Sequence, residues 1–147
     1  MIEGIKSSVV RDLDKLKREI SSYKNSENIW KKEDDGSYSA GNLCLHLLGN
    51  LNHFIGAVIG KTGYVRNRDL ELSQKGISIN ELVKQIDETV VVVEKTLDSI
   101  TDDMLNQYYP LLFNDQKITN CQMLINTMCY LNYHLGQINF HRKLFDK

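Results

Sequence analysis

Ile2, Ile5, Val9, Leu13, Leu16, Ile20 and Tyr23 recur at steps of three and four along the start of the chain. A helix turns about 100° per residue, so this interval places all seven on one narrow stripe. Lys6, Arg11, Lys15 and Arg18 fall largely off it. The spacing predicts a first helix from Ile2 to about Ser26, and it returns three times. Leu43, Leu47, Leu51, Phe54 and Val58 predict a second helix, from Ser39 or Ala40 to Ile59. Leu82, Ile86, Thr89, Val90, Val93 and Leu97 predict a third that opens at Ser78. Leu124, Met128, Leu131, Leu135 and Ile138 predict a fourth, from Thr119 to about Phe145. Strand-like alternation is scarce, and one proline, Pro110, interrupts the chain. The expected fold is all-α: a four-helix bundle with long connections, a single domain over residues 1–147. Those connections let non-adjacent helices pair.

Local chemistry marks the ends. Ser78 with Glu81 and Thr119 with Gln122 have the spacing of capping boxes. Gly60 predicts a stop, because glycine tolerates the left-handed cap. KKEDDGSYSAGN breaks the first pattern with turn residues, and TGYVRNRDLELSQKG reads as a loop. Thr101 with Asp102 and Asp103 predicts a short helical turn, and residues 107–118 an extended crossover around Pro110. Val90–Val93 is β-branched and favours strand locally, but its periodic flanks outweigh it.

Charge narrows the function classes. The formal net charge is -1, with lysine and arginine scattered apart from Lys31-Lys32 and Arg66–Arg68. No basic face is evident, so a nucleic-acid partner is not expected. No apolar run is expected to reach the roughly 18 residues of a membrane span, and MIEGIKSSVV does not read as a signal peptide. Three cysteines, Cys44, Cys121 and Cys129, are expected as buried free thiols in a reducing cytoplasm.

All four histidines stand in two pairs, His46 with His53 and His134 with His141, each pair seven apart on a predicted helix. Asn42, His46, Asn50 and His53 run down one flank of the second core stripe. Thr127, Tyr130, His134 and His141 run down one flank of the fourth. Bundles build metal sites from such inward edges. Seven residues span about 10.5 Å along the axis, whereas zinc–nitrogen bonds are about 2.0–2.1 Å. A single site therefore takes one histidine from each helix. Antiparallel helices would bring only His46 and His134 together; parallel helices would allow a second layer from His53 and His141. The competing reading is that histidines at a core border simply pack.

The blocks NLCLHLLGNLNHFIGAVIGKTGYVRNRD (42–69) and NYHLGQINFHRKL (132–144) resemble the DinB/YfiT-like superfamily, in its branch of small bacterial proteins of no assigned activity. The pairing of His46-x-x-Gly49-Asn50 with His134-x-Gly136-Gln137 carries the likeness. The resemblance implies a four-helix bundle, with one histidine from the second helix and an H-x-x-x-H pair from the fourth. Together these hold a divalent metal such as zinc or nickel, with open positions for water or a thiol. Relatives include thiol S-transferases and a thiol-dependent isomerase. By position, His46 and His134 are the outer ligands and Tyr130 stands where the family has its middle histidine. A phenol, with an ordinary pKa near 10, must lose its proton to bind strongly, so affinity falls. His53, His141 or Asn50 could compensate after repacking.

Arg66 and Arg68 could clamp a carboxylate or phosphate on a small-molecule or thiol ligand; the plainer reading is a loop fixed by Arg–Asp pairing. Trp30, Tyr38, Tyr108, Tyr109 and Phe113 are expected to plug a bundle end by area burial. No phosphate loop, dinucleotide glycine fingerprint or Ser–His–Asp order is present. Two expectations follow. One is a metal-dependent thiol transferase or hydrolase with a degenerate His46–Tyr130–His134 site, with Asn50 orienting it. The other is a metal-free bundle, acting as a small-ligand binding or homodimerisation module.

Overall fold

The computed structural model describes residues 1–147 and is all-helical. The elements are α1 (Ile2–Ser21), α2 (Ala40–Leu51), a π-helical continuation (Asn52–Ile59), α3 (Arg68–Ser73), α4 (Ile79–Asp98), α5 (Asp102–Leu105) and α6 (Asn120–Phe145). A 3₁₀ turn, Ser26–Trp30, follows α1. The first helix thus ends five residues earlier than its periodicity suggests, and Tyr23 stays buried beyond its end. The 62–76 segment, read as loop, contains α3, which Asn67 caps by accepting from the Leu70 amide at 3.1 Å. The crossover over 107–118 is as expected, pinned by antiparallel bridges Tyr108–Thr119 and Phe113–Gln116.

α1 and α2 each pack against both α4 and α6, so they lie on a diagonal and sequence neighbours are not all spatial neighbours. The core is one cluster of 25 buried side chains. From α1, Ile5, Val9, Leu13, Leu16 and Ile20 enter it as the stripe predicts; Ile2 is half-buried. The α4 stripe enters likewise, except that Val90 is half-buried. Thr119 and Gln122 form the full capping box, with the two amide bonds at 2.8 and 3.1 Å. Ser78 caps α4 at 3.1 Å, but the Glu81 side chain instead accepts from Gln85.

The second helix departs from its pattern where it becomes π-helical. The buried positions there are Leu47, Leu51 and Ile55, with Ile59 packed against the core, in steps of four. Phe54 and Val58, expected in the core, are half-buried. A π turn closes i→i+5 bonds and holds more residues than an α turn. That underwinding keeps period-four positions in line, so His46, Asn50 and Phe54 share one edge. Tyr109 donates to the Phe54 carbonyl at 2.9 Å, satisfying part of the irregular ladder.

Gly60 is needed for a different reason than the one expected. Its φ is -79°, and the left-handed residue is Lys61, at φ 55°. A Cβ on Gly60 would stand 2.4 Å from Thr96 Oγ1 and 2.7 Å from the Gly56 carbonyl. The helix therefore uses this glycine for close approach to α4. Ala40–Ile59 also corrects the membrane argument: it is long and apolar enough to cross a membrane, with mean hydropathy 1.2, yet most of it is buried inside the bundle.

The C-terminus locks the turn after α1. Asp146 accepts from the amides of Lys24 and Asn25 at 2.6 and 3.1 Å and from Asn28 Nδ2 at 2.8 Å. Trp30 closes the same turn against α2: a Cβ on Gly41 would lie 2.5 Å from its ring. Tyr109 is buried, but Tyr38 and Tyr108 are exposed, so the connection aromatics only partly plug the bundle. Cys44 is buried, its thiol pushed up to about 12 by burial. Against expectation, Cys121 is half-buried and Cys129 exposed.

Candidate functional site

α2 and α6 run antiparallel. Asn50 and Phe54 share a cleft with Met123 and Thr127, while Leu43 shares a groove with Phe140 and Leu144. The antiparallel order brings His46, Tyr130 and His134 together. The His46 and His134 ring centroids are 5.7 Å apart, and Tyr130 lies 4.4 Å from His134. The Tyr130 phenol meets His46 Nε2 at 2.6 Å.

Both imidazoles are held from behind. His46 Nδ1 lies 3.2 Å from both Glu71 Oε1 and Arg66 Nη2; with the proton on Nδ1 the carboxylate accepts from the imidazole and from Arg66 Nη2 together. Nε2 then offers its lone pair forward. His134 Nδ1 donates to Gln137 Oε1 at 2.6 Å, which leaves Nε2 as a bare acceptor. His134 Nε2 is buried and has no hydrogen-bond partner. Burial, with Arg66 adding to it, holds His46 below the ordinary imidazole value. Burial does the same for His134. Both rings are therefore neutral near pH 7; the His134 lone pair has no partner, while that of His46 meets the Tyr130 hydroxyl.

Glu71 was not visible as a site residue in the sequence. It sits on α3, which Asn42 ties to α2 by donating to the Glu71 and Gln74 carbonyls at 3.0 and 2.7 Å. Arg66 bonds the Glu71 carboxylate through Nε and Nη2 at 3.1–3.3 Å. This pair, rather than an Arg–Asp pair, fixes the loop. The approach needs Gly49: a Cβ there would lie 1.9 Å from Glu71 Oε2. The His46-x-x-Gly49 and His134-x-x-Gln137 spacings thus acquire a physical meaning. Gly49 admits the carboxylate that orients His46, and Gln137 orients His134 from one turn on.

The cleft in front of His46 and Tyr130 has a volume of about 480 Å³. Asn50, Arg66 and Arg68 line it as expected, and Phe113 joins them. Arg66 lies over the Phe54 ring, 5.9 Å from its centroid. Arg68 makes no ion pair within the chain. The other two histidines are elsewhere. His53 packs its ring on Phe54, 4.7 Å away, and does not line the cleft. His141 is buried near the other end of α6, accepting from Tyr23 at Nδ1 and donating to the Lys31 carbonyl at Nε2, both at 2.7 Å. The antiparallel order separates it from His46.

The donor set is two imidazoles and a phenol. His46 and Tyr130 line this cleft, whereas His134 borders a separate groove beside Tyr133 and Phe140; no group of three His, Cys, Asp or Glu converges here. The set fits a divalent cation in one specific respect. An unpartnered buried nitrogen costs about 1–3 kcal/mol, and this one stands beside a second imidazole whose outer partner is already in place. Metal-binding histidines are typically oriented by just such a bond on the far nitrogen.

Over residues 2–147 the chain matches the family described as a protein of unknown function, DUF1572. Among solved structures it resembles a DinB-like protein from Bacillus cereus ATCC 10987, with a TM-score of 0.78 and 15% identity, over 97% of this chain and 91% of that one. At that identity the likeness is one of fold. No curated protein matches.

Proposed function

Because the chain belongs to the DUF1572 family of proteins of unknown function and has a DinB-like fold, its own cleft must supply the reading, and we propose that it holds a divalent metal, zinc or nickel, for thiol transfer or hydrolysis. His46 and His134 would be the ligands through Nε2. Tyr130 would serve as a weak third ligand or as a hydrogen-bond donor to the bound group. Such an ion acts as a Lewis acid and lowers the pKa of a thiol or water. Glu71 and Gln137 hold the two imidazoles in the binding tautomer. Asn50 and Arg68 face the incoming ligand, and Arg68 suits an acidic group on it. The supporting observation is the orphaned, buried Nε2 of His134 beside a carboxylate-oriented His46.

One observation favours the metal-free reading, a bundle that binds a small ligand without catalysis. The Tyr130 phenol already occupies the lone pair of His46 at 2.6 Å. Metal analysis of protein purified without an affinity tag separates the two. A stoichiometric metal, lost in His134→Ala, supports the metal site. No metal in the native chain, with tight uptake created by Tyr130→His, supports the metal-free reading.

A further inference from the structure

α6 is apolar on two sides. Its inner face supplies Leu124, Leu131, Leu135 and Ile138 to the core. Its outer face carries Ile125, Cys129, Tyr133, Gly136, Phe140 and Leu144, all exposed. At helical pitch these six fall within an arc of about 100°, the width of a packing face. Tyr133 and Phe140 are 66% and 67% exposed. No Asp, Glu, Lys or Arg stands between Lys117 and Arg142, although a quarter of the chain is charged; the one charge within the arc is exposed Lys143, at its edge in the last turn. Depletion of charge with enrichment of tyrosine and phenylalanine is the composition of an interface core.

We propose that this face is the contact between two copies of the chain, packed as an antiparallel α6 pair about a two-fold axis beside Gly136. The pattern is self-complementary. Tyr133 lies as far before the midpoint of positions 136 and 137 as Phe140 lies beyond it, and Cys129 matches Leu144 in the same way. A two-fold pairing therefore sets Tyr133 of each copy on Phe140 of the other, the reciprocity an isologous interface requires. Gly136 has nothing within 4 Å of where a Cβ would stand, so it leaves the crossing open to a close backbone. The exposed parts of Tyr133, Phe140, Leu144 and the neighbouring Tyr38 amount to on the order of 500 Å² per copy. Two copies together reach the roughly 1,000 Å² of a specific interface.

The same contact would bear on the cleft. A groove of about 730 Å³ runs between residues 32–38 and the last half of α6, lined by His134, Tyr133, Phe140 and Leu144. A second copy would roof it and exclude water from the outer side of His134. That consequence rests on the metal reading; the dimer does not.

Sedimentation equilibrium on the metal-free chain tests the contact independently of any ion. The expected result is twice the chain mass, with association weakened roughly 30-fold or more by Phe140→Glu and an unchanged helical circular dichroism spectrum. The register has its own test. Helix axes about 8–10 Å apart, with Cα atoms about 2.3 Å off each axis, bring the two Gly136 Cα atoms within disulfide range. Gly136→Cys in a Cys129→Ser background should then oxidise to a covalent dimer. A monomer at all concentrations, or a dimer indifferent to both substitutions, overturns the proposal.

Discussion

At the scale of single residues, the site depends on groups that never face the ligand. Gly49 lets Glu71 reach His46 Nδ1, and a methyl in its place would stand inside the carboxylate. Gly49→Ala should cost about 1–3 kcal/mol by overpacking. It should also weaken metal uptake by about 10–100-fold, as loss of an outer partner does. Glu71→Gln, which keeps the volume and an acceptor, should retain most of the stability and lose only part of the affinity. Calorimetric metal titration beside urea unfolding separates the two effects. The histidine pairs and Tyr130 were legible in the sequence because each sits at helical spacing beside a core stripe. Glu71 was not. It lies in a segment with turn-like composition, and what matters about it is a contact 25 residues distant along the chain. Gln137 stood in a short pattern that acquires meaning only once the His134 tautomer is known.

At the scale of elements, three of the four long helices begin or end within a few residues of where periodicity and caps place them. The second shows where one-dimensional periodicity fails. Its apolar count is right, but the π segment turns Phe54 and Val58 off the core and puts Ile55 in their place. The period of a helix with extra residues per turn cannot be read from a template of 3.6. The end of that segment gives a prediction. Lys61 is left-handed and Gly60 is not, so Lys61→Gly should be neutral or stabilising by up to about 1 kcal/mol. Gly60→Ala, which drives a Cβ into Thr96, should destabilise by about 1–3 kcal/mol. Opposite signs in thermal unfolding would bear this out. A common loss in both variants would assign the cap to Gly60 after all.

At the scale of the whole molecule, histidine burial couples stability to pH. Burial lowers His46, His134 and His141 below the ordinary imidazole value in the folded chain. Above about pH 6.5 each is neutral folded and unfolded, and the folded state keeps its full advantage. As pH falls through that value, the unfolded chain binds protons that the folded chain resists, and stability drops until the folded values are reached. Glu19 is desolvated, yet its bonds from Arg142 and Asn139 prevail and hold it low; backbone and Asn28 bonds do so for Asp146. Their contribution is lost only on further acidification, through their depressed folded values. The unfolding temperature, measured with a chelator present, should therefore decline from pH 7 to pH 5, and His141→Gln should flatten that decline. The clamp of Asp146 on the turn after α1 has a practical corollary. Trp30, the chain's one tryptophan, is wedged between that turn and Gly41 of α2, so tryptophan emission watches the docking of the latch on the bundle. An emission shift that precedes the loss of ellipticity on heating would mean that the two ends of the chain let go of each other while the bundle still stands.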